Sequence, residues 1–581
     1  MEEASLPHLA RGAEMLSLLR RLRGAATKTS SEALTCPAAT FAELAASPSA
    51  ARSLPCPGPV YIALRRGGRR LHEEWCEKPH VEDCISHIFS MAGNEQAAPD
   101  TIELVLAHGL KIIAPGKLGT YFANAHRGRY GIELIFGRER VRYGPTQMIA
   151  RNCDFRTIFM EFLANRQLDE LAFFARGGRI RRFEARQILI RLGPPAQAVE
   201  LYRGNRVIAP DEIDAATIDD MISTMGGWML RHVDDSGKMA YKYWPSRGAD
   251  STANNTIRQF MASLCLVHFA KAQNDGNALE LARRNIDYNL KTFMRIEDGA
   301  GIIEYGGSAK LGAAALAGLS ILALPEFDED LNQALALLKT GIDKLWQDSG
   351  AFRTFHKPAT RNDNQNFYPG EALLFWAELM HRQPDADLLD RMMKSISYYQ
   401  AWHQERRNPA FVPWHSQAIV RLYEFTQHET LPPMVFAMND WLLSMQQWGD
   451  ASCPDFMGRF YDPRRPSFGP PHASSTGAYL EGLVAACRLA DSIGDGERAE
   501  AYGRAIWRGI RSLRQLQFLD DVDTFYISRK HRVLGGLRTE TYHNEIRVDN
   551  VQHGLNALLS LGSDPQNNRS SGFWNPELDW R

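Results

Sequence analysis

From about residue 210 onward, apolar residues recur at the three- and four-residue spacing of amphipathic helices, broken by short polar stretches. The segments pair: 254–272 with 277–294, 309–324 with 329–347, 367–382 with 385–403, 413–427 with 431–447, and 473–493 with 496–517. A Gly- or Asp-led aromatic fragment recurs between them, as Gly237-Lys-Met-Ala-Tyr-Lys-Tyr243, Gly301-Ile-Ile-Glu-Tyr305, Asp348-Ser-Gly-Ala-Phe352 and Gly458-Arg-Phe-Tyr-Asp462. A helix at 213–232 has no partner before it, and one at 548–561 has none after it. Joining these two completes a sixth pair. One helix pair cannot bury its apolar stripes alone, so the repeated pairs must stack or close into a ring. Loops inside pairs are short (Gln273-Asn-Asp-Gly276, Gly494-Asp-Gly496), whereas those between pairs are long and aromatic. One face of the ring is thus tight and the other elaborated, and chemistry is expected on the elaborated face.

Before the ring the pattern shifts to short strands mixed with helices. Val60-Tyr-Ile-Ala-Leu64 reads as a strand, Arg65-Arg-Gly-Gly-Arg-Arg70 as a turn and 80–91 as a helix. A strand at 101–114 follows, and then Gly131-Ile-Glu-Leu-Ile-Phe136 leads into Val141-Arg-Tyr143 as a hairpin. The expected fold class is mainly α, an (α/α)6 toroid preceded by a smaller α+β domain. The expected division is a flexible segment at 1–55, the α+β domain at 56–210, the toroid at 211–562 and a tail at 563–581. Within the first segment, residues 9–23 look helical and the rest is Ala/Ser/Thr/Pro-rich, too poor in apolar surface to offset its ordering entropy. The run of strand, basic Gly turn, helix and later strands resembles the AMMECR1-like domain, and no functional residue is carried over from that likeness.

Composition narrows the function classes. The 581 residues are 44% hydrophobic and 23% charged, ample for a packed core, and the net charge of −1 gives no general argument for nucleic acid or an acidic membrane. Nucleic acid is not expected as a partner. Residues 116–206 hold 17 Lys/Arg against 8 Asp/Glu, including Arg179, Arg181 and Arg182. They form either a basic face for an anionic polymer or a solvated strand edge on which Arg blocks pairing. Eight cysteines, Cys36, Cys56, Cys76, Cys84, Cys153, Cys265, Cys453 and Cys487, show no CxxC spacing, and several of them, as Cys265 and Cys487 do, sit in apolar helical contexts and read as reduced core thiols. No metal or cofactor is expected. Arg20 and Arg21 interrupt the only apolar N-terminal run, and no stretch reaches about 18 apolar residues, so no signal peptide or membrane span is expected and the cytoplasm is the default compartment.

Candidate chemistry gathers where the long loops enter helices. Asn254 and Arg258 stand four apart on one helix face; Phe367-Tyr-Pro-Gly-Glu371 opens a second helix, Pro413-Trp-His415 a third and Val548-Asp-Asn-Val-Gln-His553 the last. If these helices line the ring, their positive N-terminal ends converge on a cavity that favours an anion. Glu371 could instead simply complement a helix dipole. Tyr305, Tyr368 and Tyr461 could be packed aromatics, and His415 and His553 structural histidines. Asp440 and Glu481 lie inside helices, where a carboxylate needs a partner, so they are network or functional candidates. The segment with Arg538, Tyr542, Arg547, Asp549 and His553 is the densest in ionisable groups.

The Gly-aromatic loops, the Asn-Arg helix, the Tyr-Pro-Gly-Glu-Ala helix, the Pro-Trp helix and Arg-Val-Asp-Asn-Val-Gln-His at 547–553 together resemble bacterial (α/α)6-toroid proteins. They are similar over about 220–562 to the C-terminal catalytic domain of D-glucuronyl C5-epimerases, and more distantly to polysaccharide lyases and N-acylglucosamine 2-epimerases. The resemblance implies proton abstraction and return at C5 by tyrosines and acidic groups, with arginine facing the sugar carboxylate. The matching types here are Tyr305, Tyr368, Tyr461, Tyr542, Glu481, Arg538 and Arg547. Asp549 and His553 join the catalytic candidates, and Asn254, Arg258, Glu371, Trp414, His415, Arg538 and Arg547 the substrate-binding ones. Tyr305, Tyr368, Tyr461, Arg538 and Asp549 are expected to surround one cavity, and the expected partner is an acidic oligosaccharide or polysaccharide. Two other readings stay open: an inverting glycoside hydrolase using two of Glu371, Asp440, Asp462, Glu481 and Asp549, and a non-catalytic glycan- or protein-binding scaffold. Other users of the toroid fit poorly. Gln552-His-Gly554 lacks the cysteine that a lanthionine cyclase zinc site needs, and the Asp-rich motifs of terpene cyclases are absent.

Overall fold

The computed structural model describes residues 55–92, 98–192 and 197–562. The expected terminal segment, with its helix at 9–23, and the tail at 563–581 lie outside them, apart from Pro55. The first part is an antiparallel sheet built from β1 (Val60–Arg66), β2 (Arg69–Cys76), β3 (Thr101–Ile113), β4 (Tyr130–Phe136), β5 (Glu139–Tyr143), β6 (Arg179–Arg191) and β7 (Gln197–Leu201). Its order is β2-β1-β3-β6-β4-β5, with β7 also on β6. Helix α1 (Val81–Ala92) covers the β1–β3 end through Val81, Ile85 and Ile88 against Val60, Ile62 and Leu104. The short helices α2 (Leu118–Tyr121), α3 (Pro145–Arg151), α4 (Phe155–Ala164) and α5 (Glu170–Ala175) follow, and Phe155, Phe159, Phe162 and Phe173 build a second apolar cluster with Ile132, Leu134 and Ile180. Arg179, Arg181 and Arg182 do not lie on a strand edge: β6 is paired on both sides, with β3 and β4. Arg181 meets Glu133 at 3.2 Å, and the Arg182 guanidinium lies over the rings of Tyr121 and Tyr130 at 4.8 and 4.6 Å.

The second part is the ring. Its inner helices are α7 (Thr256–Gln273), α9 (Leu311–Ala323), α11 (Tyr368–Arg382), α13 (Val412–Thr426), α15 (Ala473–Ser492) and α17 (Val548–Gly562). Each packs on the next, and α17 packs back on α7, which closes the circle. Outside them lie α8 (Gly276–Phe293), α10 (Glu329–Leu345), α12 (Ala386–Glu405), α14 (Leu431–Leu443) and α16 (Gly496–Leu516), and the sixth outer helix is α6 (Ala215–Arg231), which packs on α17. The protein is therefore mainly α, with an (α/α)6 toroid behind a smaller strand-rich unit.

Sequence explains the layering. Inner helix α9, LGAAALAGLSILA, is buried on every side from Leu311 to Ile321, the signature of a helix hydrophobic all round. Small residues let inner neighbours approach: a Cβ on Gly318 would fall 2.3 Å from the Phe375 ring, and one on Gly482 2.7 Å from Pro413 Cα. Outer helices are amphipathic, and on the tight face Asp275, Asp328, Asp385 and Asp495 cap α8, α10, α12 and α16 by accepting from first-turn backbone N–H groups.

The recurrent glycine has a specific task on the other face. Gly237 and Gly458 adopt φ of 90° and 91°, and a Cβ there would fall 2.5 Å from Arg284 O and 1.8 Å from Arg508 O, so the loop backbone seats directly on an outer helix. Gly350 does the same on α12. Two small sheets complete this face. One runs β10 (Met294–Glu297), β11 (Ala300–Tyr305), β12 (Ser308–Lys310) and β13 (Phe355–Lys357) in order. The other joins β14 (Arg538–Glu540) and β15 (His543–Arg547) to β8 (Lys242–Trp244) and β9 (Ala249–Asp250).

The strand-rich unit docks on this face. Arg203 donates to Asp455 at 2.6 Å with both side chains buried, Asn152 donates to Glu545 at 2.8 Å, and Ile149 joins Cys453, Phe456 and Tyr542 in an apolar cluster.

Candidate functional site

The first turns of the inner helices meet at the mouth of the ring. Arg258 on α7 donates from Nε to Asp549 Oδ2 on α17 at 2.7 Å and from Nη1 to the Tyr241 hydroxyl at 2.5 Å. Arg547, at the end of β15, holds the same carboxylate through Nε to Oδ1 (3.0 Å) and Nη2 to Oδ2 (2.9 Å), and its Nη2 also reaches Ser474 Oγ on α15 at 3.0 Å. Burial pushes the Asp549 carboxyl up, but Arg258, Arg547 and His553 outweigh it and hold it below the ordinary range. Asp549 is thus a fixed anion between two arginines. Both its oxygens are occupied.

Glu371 on α11 is in the opposite condition. It is 2% exposed, and its Oε2 has no hydrogen-bond partner among the described residues. It lies against α9 so closely that a Cβ on Gly312 would fall 1.7 Å from Oε2. Burial pushes its carboxyl up to about 8, with the Lys310 ammonium pulling the other way. Lys310, just before α9, is itself pushed down by burial and by the Arg258 and Arg361 charges. Tyr368, one turn before Glu371, has its hydroxyl pushed well up, first by burial and then by Glu371 and Asp363.

Deeper in the ring, His553 Nδ1 and Glu481 Oε1 are 2.7 Å apart, joining α17 to α15. Burial raises the Glu481 carboxyl, with His553 opposing. The Trp414 ring from α13 meets the imidazole edge-to-face at 6.2 Å between centroids. The inner helices therefore carry a doubly paired anion, a buried carboxyl with one oxygen left without a partner and a carboxylate-held imidazole, and their surroundings push the Asp549 and Glu371 carboxyls in opposite directions. His472, just before α15, pairs with Glu540 at 3.2 Å.

Beside the mouth runs a groove of about 430 Å³, to which both Tyr241 and Asn254 contribute. Asn254 Oδ1 also accepts from Gln259 Nε2 at 2.8 Å.

Several sequence candidates lie elsewhere. Arg538 is 1% exposed, stacked at 4.2 Å over Phe518 and donating to Gln515 O of α16, so it does not share the mouth with Asp549. Tyr542 is buried in the joint with the strand-rich unit, edge-on to Phe456 at 6.4 Å. His415 is a core histidine: it stacks on Phe411 at 3.5 Å, engages Phe411 O through Nδ1, and burial pushes it down to about 3. Asp440, on outer helix α14, is exposed and pairs with Arg498 and the Tyr502 hydroxyl. Asp462 caps its own loop through Arg464. Tyr461 is half-buried under the Arg459 guanidinium, and Tyr305 sits exposed at the end of β11. Sequence reasoning passed over Lys310, Tyr241 and Ser474, although all three stand in or beside loops it marked. Among the described residues, no three His, Cys, Asp or Glu side chains are grouped to hold a metal ion, and no helix is long and apolar enough to cross a membrane.

No protein-family model matches the chain, and no curated protein matches it in sequence. Solved structures similar to it include a complexed, inactive variant of the α-1,6-mannanase GH76A of Salegentibacter sp. HEL1_6 (10% identity, 59% of this chain and 98% of that one, TM-score 0.44). An unsaturated glucuronyl hydrolase specific for heparin is similar at 11% identity, 59% and 96% coverage and a TM-score of 0.45. A D-mannose isomerase is similar at 11% identity, 61% and 99% coverage and a TM-score of 0.45. These are likenesses alone; the ring rests on the helix contacts described above.

Proposed function

We propose that this protein is a carbohydrate-active enzyme that moves the proton α to the carboxylate of an acidic sugar, as an epimerase or lyase. The observation that carries the reading is the Glu481–His553 dyad between inner helices α15 and α17, taken with Glu371 of inner helix α11, whose carboxyl is pushed up to about 8. Glu481 engages His553 Nδ1 and so leaves Nε2 for proton transfer, the arrangement in which an orienting acid fixes the tautomer of a base. In this reading Nε2 takes the C5 proton, and the C–H electron pair moves into the sugar carboxylate. Lys310 and Arg258 face that carboxylate and stabilise its growing charge. Glu371, still protonated near neutral pH, then delivers a proton. Delivered to C5 from the opposite face, it completes epimerisation; delivered to the departing oxygen at C4, it completes elimination.

Tyrosine, the base implied by the family resemblance, gives way to His553 here, because burial moves the Tyr368 hydroxyl away from neutrality and Tyr542 lies in the joint. The hydrolase reading needs one ionised carboxylate free to activate water. Asp549 is bound by two arginines and Glu481 by His553, so no observation favours it. The test is incubation with a uronate glycan in D2O, following deuterium at C5 and the ultraviolet absorbance of an unsaturated product. Exchange or elimination that falls in His553→Gln supports the proposal; release of reducing ends without either refutes it.

A further inference from the structure

The groove beside the mouth continues the site in one direction. It meets the mouth at Tyr241, whose hydroxyl accepts from Arg258, and Asn254 also lines it. Tyr288 and Phe293 of α8 and Tyr305 of β11 also line it, and Arg231 at the end of α6 contributes a cation. At about 430 Å³ it falls within the usual span of ligand sites, about 300–1,000 Å³. Tyr305 is 44% exposed yet held edge-to-face on Phe293 at 5.7 Å, an aromatic fixed in place with its surface open. Hydroxyl and amide groups of Ser251, Thr252 and Asn254 share the lining. An aromatic face beside such groups suits a pyranose ring, which offers C–H bonds on its face and hydroxyls on its rim. Charge favours an acidic one. The lining carries Arg231, Lys238 and Arg532 against Asp234 and Asp250, and Arg532 pairs with Asp250, which leaves the groove with one more cation than anion.

We propose that this groove binds the second and further sugar units of an acidic oligosaccharide whose reacting uronate lies at the mouth, so that the substrate is a chain and not a free sugar. The proposal rests on the uronate reading above and adds its length. It is tested on the full chain by calorimetry with a monomeric uronate, a hexauronate and a neutral hexasaccharide, with C5 exchange followed on the same samples. The wild type is expected to bind the hexauronate at least about tenfold more tightly than the monomer or the neutral chain, the effect of about 1.4 kcal/mol. Tyr305→Ala should shrink the length ratio toward one, and Tyr305→Trp, which keeps a platform, should retain it. Equal binding of one and six units, a hexauronate no tighter than its neutral counterpart, or a ratio that Tyr305→Ala leaves unchanged overturns the groove, whatever exchange shows. Length-dependent binding that Tyr305→Ala abolishes, with no exchange or elimination on either uronate, supports the groove and refutes the C5 chemistry.

Discussion

Glu371 gives the sharpest test of the mouth, because its state is written into stability as well as activity. Folding raises its carboxyl from the ordinary 4.5 to about 8 by burying it without a hydrogen-bond partner for Oε2. The folded protein therefore holds a proton that the unfolded chain has released between those two values. Stability linked to this group is fully present below about 4.5, falls as pH rises and levels off above about 8. At about 1.36 kcal/mol per unit, a shift of 8 − 4.5 = 3.5 amounts to about 5 kcal/mol, undiscounted because the group is fully buried. Glu371→Gln mimics the protonated form and removes the titration. Urea unfolding of wild type and variant at pH 5, 7 and 9 should give near-equal stabilities at pH 5. By pH 9 the variant should be the more stable by several kcal/mol. A stability difference that stays constant across this range would show that the carboxyl titrates normally, and would remove the basis for treating Glu371 as an acid.

Asp549→Asn leaves Arg258 and Arg547 facing a neutral group at a buried site, and should cost about 3–5 kcal/mol in chemical denaturation; a loss under 1 kcal/mol would mean the arginines re-pair. His553→Gln should slow C5 exchange about 10²–10⁴-fold with the helical circular dichroism unchanged, and an unaffected rate would remove it as the base. Gly312→Ala places a Cβ where Glu371 Oε2 now lies, so it should lower stability by about 1–3 kcal/mol, and an unchanged melting temperature would mean that this contact is slack.

The helix pairs were legible because an inner helix such as Leu311–Ala323 must be apolar throughout and its outer partner amphipathic, which are local properties. The closing pair followed from counting, since 213–232 and 548–561 each lacked a neighbour. The arginines of strand Arg179–Arg191 read as a basic face or an edge because their partners are remote in sequence; only the fold supplies Glu133 and the rings of Tyr121 and Tyr130 that receive Arg181 and Arg182. The same limit governs the mouth. A glutamate in a first turn suits a helix dipole in any sequence, and what isolates Glu371 is Gly312, a residue of another helix. Tyr542 stands five residues before Arg547 in a segment dense with charge, but it occupies the turn between β14 and β15, where it packs into the joint with the strand-rich unit.

Closure of the ring by α17 also sets an order of events during synthesis. Arg258 leaves the ribosome 291 residues before the aspartate that neutralises it. At roughly 5–20 residues per second that interval is roughly 15–60 s. Throughout it the buried flank of α7 that belongs against α17 stays uncovered, and neither Asp549 nor His553 yet exists. A nascent chain stalled anywhere short of α17 carries an open arc with an apolar end. The ring therefore closes, and Arg258 gains its carboxylate, only once α17 has been made.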